Sequence, residues 1–264
     1  MVIPLDNTIL TQISKVTREN LTEKVVTQIK KLIFSKGIRE GQKLPPEREL
    51  TELFGVSRVV IREALKSLEQ SGLIEIRKGK SGGPFVVNNQ YMPLFQISCD
   101  LMKAGALTLS HFYEARIAIE CSVVRLAARK ATAKDITELT QINNVLMNEK
   151  ADPREQGENN DAFHISLAKI VGNPLMSIMV ESLLRLLRTV FTNWETVRTH
   201  DAMVHMYRRH KAIIDSIHSR NAALSEQSMM NDIEYTKQLA VSYARNNQKM
   251  LSRRRLRSDN DRFQ

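Results

Sequence analysis

Arg58 and Arg62 stand four residues apart in this chain, and they carry the first chemistry that can be read from it. A helix turns about every 3.6 residues, so side chains at that spacing share a face. From such a face two guanidiniums can reach the floor of a DNA major groove. There arginine prefers guanine O6 and N7 in bidentate geometry. Ser57, directly before them, is a residue type that caps a helix N-terminus, and the free N–H groups of that first turn can hold a phosphate. Arg48 is placed to reach the backbone or an adjoining base. Lys78-Gly79-Lys80 offers two cations around a glycine that lets a nucleic-acid backbone approach closely. Singly these are ordinary solvated charges, the better reading for Lys66 and Lys80. Together they describe phosphate and base-edge recognition.

The elements that must position these groups follow from periodicity and punctuation. Residues 1–19 show no clear period and read as a flexible arm. Thr22 to Ser35 is helical, with Val25, Ile29, Leu32 and Ile33 on one face, and Gly37 and Gly41 end it. Pro46 suits the first turn of a short helix, Glu47 to Phe54. Gly55-Val56-Ser57 then turns the chain into a third helix, Arg58 to Ser71, whose apolar face is Ile61, Ala64, Leu65 and Leu68. Gly72 closes it, as glycine commonly does. Two short β-like runs follow, Leu73–Arg77 and Pro84–Val87, around a Gly-rich turn. Three helices and a β-hairpin make a winged helix-turn-helix, which we place at 20–88 with the helix-turn-helix at about 47–66.

From Tyr91 onward strand signals stop. Helical stretches read at about 93–104, 109–131, 133–150, 154–171, 174–195, 202–219 and 222–247, with Thr132, Asp152, Asn173 and Asn221 standing where N-caps belong. Short connections imply antiparallel neighbours. The expected fold is therefore mainly α, a winged helix-turn-helix followed by an all-α antiparallel bundle of about seven helices over 91–247. The end, 248–264, with Arg253-Arg254-Arg255, reads as a basic disordered tail.

Charge follows the same division. The net charge of +10 is confined to the two ends: residues 1–90 carry 15 basic and 10 acidic side chains, residues 245–264 seven and two, and the stretch between is neutral. A basic head suits phosphate backbones. The two cysteines, Cys99 and Cys121, lie in apolar helical stretches without a CxxC spacing, so buried free thiols in a reducing cytoplasm are expected. No leader, membrane span or catalytic signature of the GxSxG, HExxH or P-loop kind is found.

The string Leu44-Pro45-Pro46-Glu47-Arg48-Glu49-Leu50, then Phe54-Gly55-Val56-Ser57-Arg58, Arg62-Glu63-Ala64-Leu65, Gly72-Leu73-Ile74 and Phe85-Val86 resembles the GntR family of bacterial regulators over about residues 20–87. The resemblance implies homodimers on pseudo-palindromic operator DNA, contacted by Arg48, Arg58, Arg62 and Gly79. Val59 and Val60 stand where relatives often have Thr or Pro, so some base readout is expected to be apolar. Farther along, Phe112 to Glu120, Leu126-Ala127-Ala128, Phe163-His164 and Gly172-Asn173-Pro174 resemble the FadR subgroup, whose effector domain is a bundle of six or seven helices.

Many members of that subgroup hold a divalent metal through one Asp and three His, and the resemblance maps this set onto Asn160, His164, His210 and Asp232. His210 and Asp232 lie equally far from the turn at Asn221, so in an antiparallel hairpin they sit at the same height, roughly 16 Å from the turn at ~1.5 Å per residue. Asn160 is one turn before His164 on a third helix. The departures are that Asn160 replaces the family's Asp and Asp232 its last His; Asp161, shifted by one, should point about 100° away. Such oxygen and imidazole donors suit Zn, Ni, Mn or Fe without choosing among them, and a metal-free polar pocket is the alternative. Arg116, in an apolar helix face, needs an anion. Relatives use an Arg near it to hold an effector carboxylate; an intrahelical pair with Glu120 is the other reading. The expected protein is a ligand-responsive regulator, first a repressor, that binds a small organic acid. A metalloenzyme using His164 and His210, and a non-specific architectural DNA binder, are the competing classes.

Overall fold

The computed structural model describes residues 21–35, 37–79, 81–148, 153–190 and 199–260, with side chains left out at 153, 154, 190, 200 and 245–260. The expected arm at 1–19, the cap at Asp152, Lys80 and the last four residues lie outside the described residues. The chain divides into two compact units, Met1–Gln90 and Tyr91–Gln264.

In the first unit, helices α1 (Leu21–Phe34), α2 (Glu47–Phe54) and α3 (Arg58–Gln70) precede strands β1 (Ile74–Arg77) and β2 (Gly83–Val86). The strands pair antiparallel, with Ile74 opposite Val86 and Arg77 opposite Gly83. The core is Val25, Val26 and Ile29 from α1, Leu50 from α2, the predicted α3 face of Ile61, Ala64, Leu65 and Leu68, and Leu73, Ile74 and Val86 from the wing. Val26 takes the inward place expected for Leu32, which is 47% exposed. The inward face of α1 runs through Val25, Val26 and Ile29 to the half-buried Ile33, and Leu32 falls at its edge. The segment before α2 adds a third edge to the wing that periodicity does not reveal: Leu44 N–H donates to the Pro84 carbonyl at 2.8 Å and Val86 N–H to Gln42 at 2.8 Å.

Gly72 illustrates how closely this unit is specified. It sits at φ +68, and a Cβ there would lie 2.0 Å from the Asn89 carbonyl oxygen. An L side chain pays for the left-handed backbone and also collides with main chain, which cannot swing aside. Gly72→Ala is expected to lower the stability of this unit by about 2 kcal/mol, read as a lower denaturation midpoint in urea; an unchanged midpoint refutes the close approach.

Among the described residues the second unit is built of helices: α4 (Met92–Lys103), α5 (Leu109–Lys130), α6 (Ala133–Asn144), a 3₁₀ turn (Val145–Met147), α7 (Pro153–Val171), α8 (Pro174–Val190), α9 (His200–His218) and α10 (Ala222–Asn260). Thr132 caps α6, its hydroxyl accepting from Asp135 N–H while the Asp135 carboxylate accepts from Thr132. Asn173 and Asn221 accept from Leu175 and Leu224 N–H, as their positions predict. Thr108 and Thr199 cap α5 and α9 in the same way without having been singled out. The helix predicted over 133–150 breaks at Asn144. Asn143 is buried and donates its amide to the Tyr207 carbonyl at 3.1 Å, a side-chain bond of the kind that competes with helix continuation.

The stretch 248–264, read as a basic disordered tail, falls partly within α10. The backbone stays helical to Asn260, since 248–260 holds neither Gly nor Pro and is rich in Lys, Arg, Leu and Met, all good helix formers. Helix α5 is central, packing against α7, α8, α9 and α10, while α9 and α10 form the predicted antiparallel hairpin. Both cysteines are buried and free. No helix among the described residues is long and apolar enough to cross a membrane.

Candidate functional site

Two sites arise, one in each unit. In the first, Ser57 caps α3, its Oγ accepting from Val60 N–H at 3.4 Å. That cap fixes the helix start and leaves the following side chains pointing outward. Arg58 is exposed, with no ion pair or hydrogen bond among the described residues, and Val59 beside it is 65% exposed. Arg62 is also exposed but held, its Nε 2.8 Å from Glu47 Oε2. Arg48 lies 3.5 Å from Glu52 one turn along α2. These exposed pairs are worth little, so both arginines are available to a stronger anion. In the wing, Lys78 is exposed and Gly79 takes φ +107, a conformation that favours glycine. Lys43 Nζ donates to the Ser81 carbonyl at 3.1 Å and ties down the wing turn.

The second site lies inside the bundle. Helix α5 contributes Arg116 and Glu120, α7 Asn160 and His164, α9 His210, and α10 Asp232 and Thr236, and all seven are buried. His164, His210 and Asp232 each bring one donor atom within 4.8 Å of the others. The Nε2 of His164 is 3.5 Å from Asp232 Oδ2, and that of His210 is 3.8 Å from Asp232 Oδ1. Phe163 stacks on His210 at 3.9 Å and 8°, fixing the ring plane. Asn160 donates its amide to Asp161 Oδ1 at 3.4 Å, which leaves its own Oδ1 without a partner. Asp161 turns instead to Arg188, 2.5 Å away.

Arg116 pairs with Glu120 at 2.6 Å between Nε and Oε1, and a terminal guanidinium nitrogen donates to Thr236 Oγ1 at 3.3 Å. The second oxygen of Glu120 lies 2.6 Å from His164 Nδ1. That approach is close but outside hydrogen-bond angles, so we treat it as a charge contact that orients the ring. Glu120 was not read from the sequence as part of this site; its place at i+4 from Arg116, on the inward face, was the available signal.

The electrostatics are unbalanced in one direction. Burial pushes the Glu120 carboxyl upward, but Arg116 and His164 overcome it and hold the group at about 2. Burial also opposes the charge on Arg116, yet Glu120 keeps it above its ordinary value. These two charges cancel. Burial pushes the Asp232 carboxyl upward from its ordinary value and, with His164 adjacent, drives His210 well below the usual imidazole value. Burial likewise disfavours charge on His164, but Glu120 and Asp232 raise it. Tyr113, whose hydroxyl donates to the Thr236 carbonyl at 3.0 Å, is pushed to about 12 by burial.

Seven buried atoms at this centre find no hydrogen-bonding partner among the described residues: both nitrogens of His164 and of His210, both oxygens of Asp232, and Glu120 Oε2; Asn160 Oδ1, one turn before His164 on α7, likewise finds none. Each such group costs about 1–3 kcal/mol when buried and unmet, and folded proteins carry few. Imidazole nitrogens and a carboxylate facing one another, short of positive charge, are a donor set that a divalent cation completes. The residues present fit such an ion, with His164, His210 and Asp232 as ligands and the Asn160 oxygen turned free.

Comparison with known proteins identifies both units. Residues 21–83 match the bacterial regulatory proteins of the gntR family, and residues 111–235 match the FCD domain. The chain is 31% identical to the Uxu operon regulator of Haemophilus influenzae over 229 residues, covering 83% of each protein. It is 30% identical to the HTH-type transcriptional repressor NanR of Cronobacter sakazakii, covering 82% of this chain and 84% of that one. A solved structure of Streptococcus agalactiae GntR superposes with a TM-score of 0.63 at 23% identity, covering 82% of this chain and 99% of that one, which bears on the fold. The chain therefore belongs to the gntR family of bacterial regulatory proteins, in the branch that carries an FCD domain, a family of transcription regulators and not of the metalloenzymes that His164 and His210 alone would allow.

Proposed function

We propose that this protein is a cytoplasmic transcriptional repressor that binds a pseudo-palindromic operator as a homodimer and releases it, or grips it, in response to a small organic acid held in the C-terminal bundle. The observation that carries the sensing half is the enclosed group of unpartnered donors at His164, His210, Asp232, Asn160 and Glu120. A divalent ion held there would act as a Lewis acid toward a carboxylate or hydroxyl of the effector. The chain's own residues enclose it, exclude water and present Arg116 on the same side. Two donors of that guanidinium are spent on Glu120 and Thr236; an arginine carries five, so an effector carboxylate would share it with Glu120. Two relatives bear names, an operon regulator and a repressor, that agree with this role.

On the DNA side, Arg58 and Arg62 read base edges, Arg48, Ser57, Lys78 and Gly79 hold the phosphates, and Val59 supplies an apolar contact. Arg58 is the sharpest probe, since it is exposed and unpaired and its removal leaves the fold alone. Arg58→Ala is expected to weaken operator binding by ~1–3 kcal/mol and to relax one base position in each half-site, measured by titrating native and variant protein against an operator and its single-base variants at fixed salt. Unchanged affinity and preference would remove Arg58 from the readout. Equal loss on every sequence, with a steep salt slope, would instead favour an architectural binder.

A further inference from the structure

A cavity of about 240 Å³ opens on the outer side of the α9–α10 hairpin, lined by His205, Arg208, Arg209, Ala212, Ser228 and Asn231. Apart from Ala212 every lining residue can donate a hydrogen bond, and none is a carboxylate. Arg209 is held in place: its guanidinium stacks over the Tyr235 ring at 4.5 Å and donates to the Asn231 carbonyl at 3.4 Å. Its Nε is buried with no hydrogen-bonding partner. His205 packs beside the same tyrosine, 5.7 Å between ring centres. Ser228 is 9% exposed, and its hydroxyl opens on the cavity with no protein hydrogen bond among the described residues. Arg208 is exposed and likewise has neither ion pair nor hydrogen bond there. Two cations, one with a buried unmet Nε, and a cavity-facing hydroxyl thus surround one concavity that has no carboxylate in its lining.

We infer that this outer cavity is a second ligand site, distinct from the His-Asp centre, that takes a phosphoryl group, either as free phosphate or as the phosphate of a small metabolite. A planar fork such as arginine grips two oxygens of such a group at once, and a tetrahedral oxyanion offers enough oxygens for Arg208, Arg209, Ser228 and Asn231 together. The site adjoins the inner one along the chain: Arg209 precedes His210, and Asn231 precedes Asp232. A ligand that draws α9 and α10 together on the outside therefore acts on the same two helix turns that carry two of the inner ligands. This gives the bundle a physical route for a second signal, provided the ligand favours one arrangement of the hairpin over another.

The test uses the full-length protein, stripped of metal by a chelator so that phosphate cannot be counted at the inner centre, and titrated with inorganic phosphate and then with glycerol phosphate by calorimetry in a constant-chloride buffer. Saturable binding of one equivalent per chain is expected, about tenfold or more weaker in Arg208→Ala and in Ser228→Ala, because each removes a bond to a charged group. Arg208→Ala should keep the native thermal midpoint without ligand, since that side chain is exposed and makes no ion pair or hydrogen bond among the described residues. Its loss of affinity is then not a loss of fold. Tighter binding of glycerol phosphate than of phosphate points to a metabolite as the source, and the reverse to free phosphate. Binding that is unaffected by both substitutions, that acetate competes for equally, or that never saturates overturns the site.

Discussion

Arg116→Met is expected to cost about 3–5 kcal/mol of stability, because it leaves Glu120 as an uncompensated charge in the interior. Both partners are buried, and their 2.6 Å contact lies between two turns of α5. Glu120 is held at about 2 chiefly because Arg116 outweighs the cost of burial. At roughly 2–4 °C per kcal/mol for a unit of this size, the thermal midpoint of the bundle should fall by on the order of 10 °C. The double variant Arg116→Met/Glu120→Gln should recover much of the loss, since removing both charges is far less costly than removing one. Calorimetric unfolding of the three proteins measures this coupling directly. Additive losses in the double variant would mean that the two residues act apart and that Arg116 is reserved for an external anion.

That coupling bears on what a sequence can and cannot disclose here. The readable parts were those in which one residue type has one local use. Ser57 and Thr132 cap helices because a hydroxyl after extended backbone satisfies a first-turn N–H. Gly72 closes α3 because nothing else fits at φ +68 against Asn89. The α3 face is a plain helical period, and the hairpin symmetry of His210 and Asp232 about Asn221 survives as a contact of 3.8 Å. Parts decided by tertiary contacts were not readable. Nothing local tells Val26 from Leu32 as the inward residue of α1. The 41–44 edge joins the wing only through pairings such as Lys43 with Phe85, across some forty residues. Asn143 breaks a helix because Tyr207, on another helix, is there to accept its amide.

Glu120 is the instructive case at the site itself. Within α5 it reads as the partner of Arg116, which is half of the truth. Its other oxygen reaches His164 on α7, so one carboxylate links the guanidinium to the inner ring. A carboxylate on the far nitrogen of a ligating imidazole is the usual way such rings are oriented and made more basic. Here it turns Nδ1 of His164 toward Glu120 and leaves Nε2 facing Asp232. The replacement of a family Asp by Asn160 is then less isolated than it looks in the sequence. Set against the ligands the resemblance implies, α7 has an amide where a carboxylate is expected, while Asp232 on α10 brings a carboxylate within 4.8 Å of the His164 and His210 donor atoms.

Protein purified without chelator is therefore expected to carry one divalent ion per chain, and stripping it should destabilise the bundle. An ion present at a thousandfold excess over its Kd stabilises by about 4 kcal/mol, which again corresponds to a midpoint shift on the order of 10 °C. His210→Leu removes a ligand whose ring is enclosed by Phe163 and is itself fully buried, and an apolar side chain leaves no new unmet donor behind. That variant should hold no metal and lose the chelator effect, while its midpoint lies above that of stripped native protein because two of the unpartnered atoms are gone. Asp232→Ala decides the swap between helices. If the carboxylate on α10 has taken over the family's anionic ligand, this variant binds metal at least tenfold more weakly. Full occupancy in Asp232→Ala, measured by elemental analysis after dialysis, would place the anionic ligand elsewhere, with Glu120 the nearest alternative. No metal in either native protein or the variants, with a midpoint insensitive to chelator, would make the centre a polar pocket in which Arg116 is the sole cation available to an effector acid.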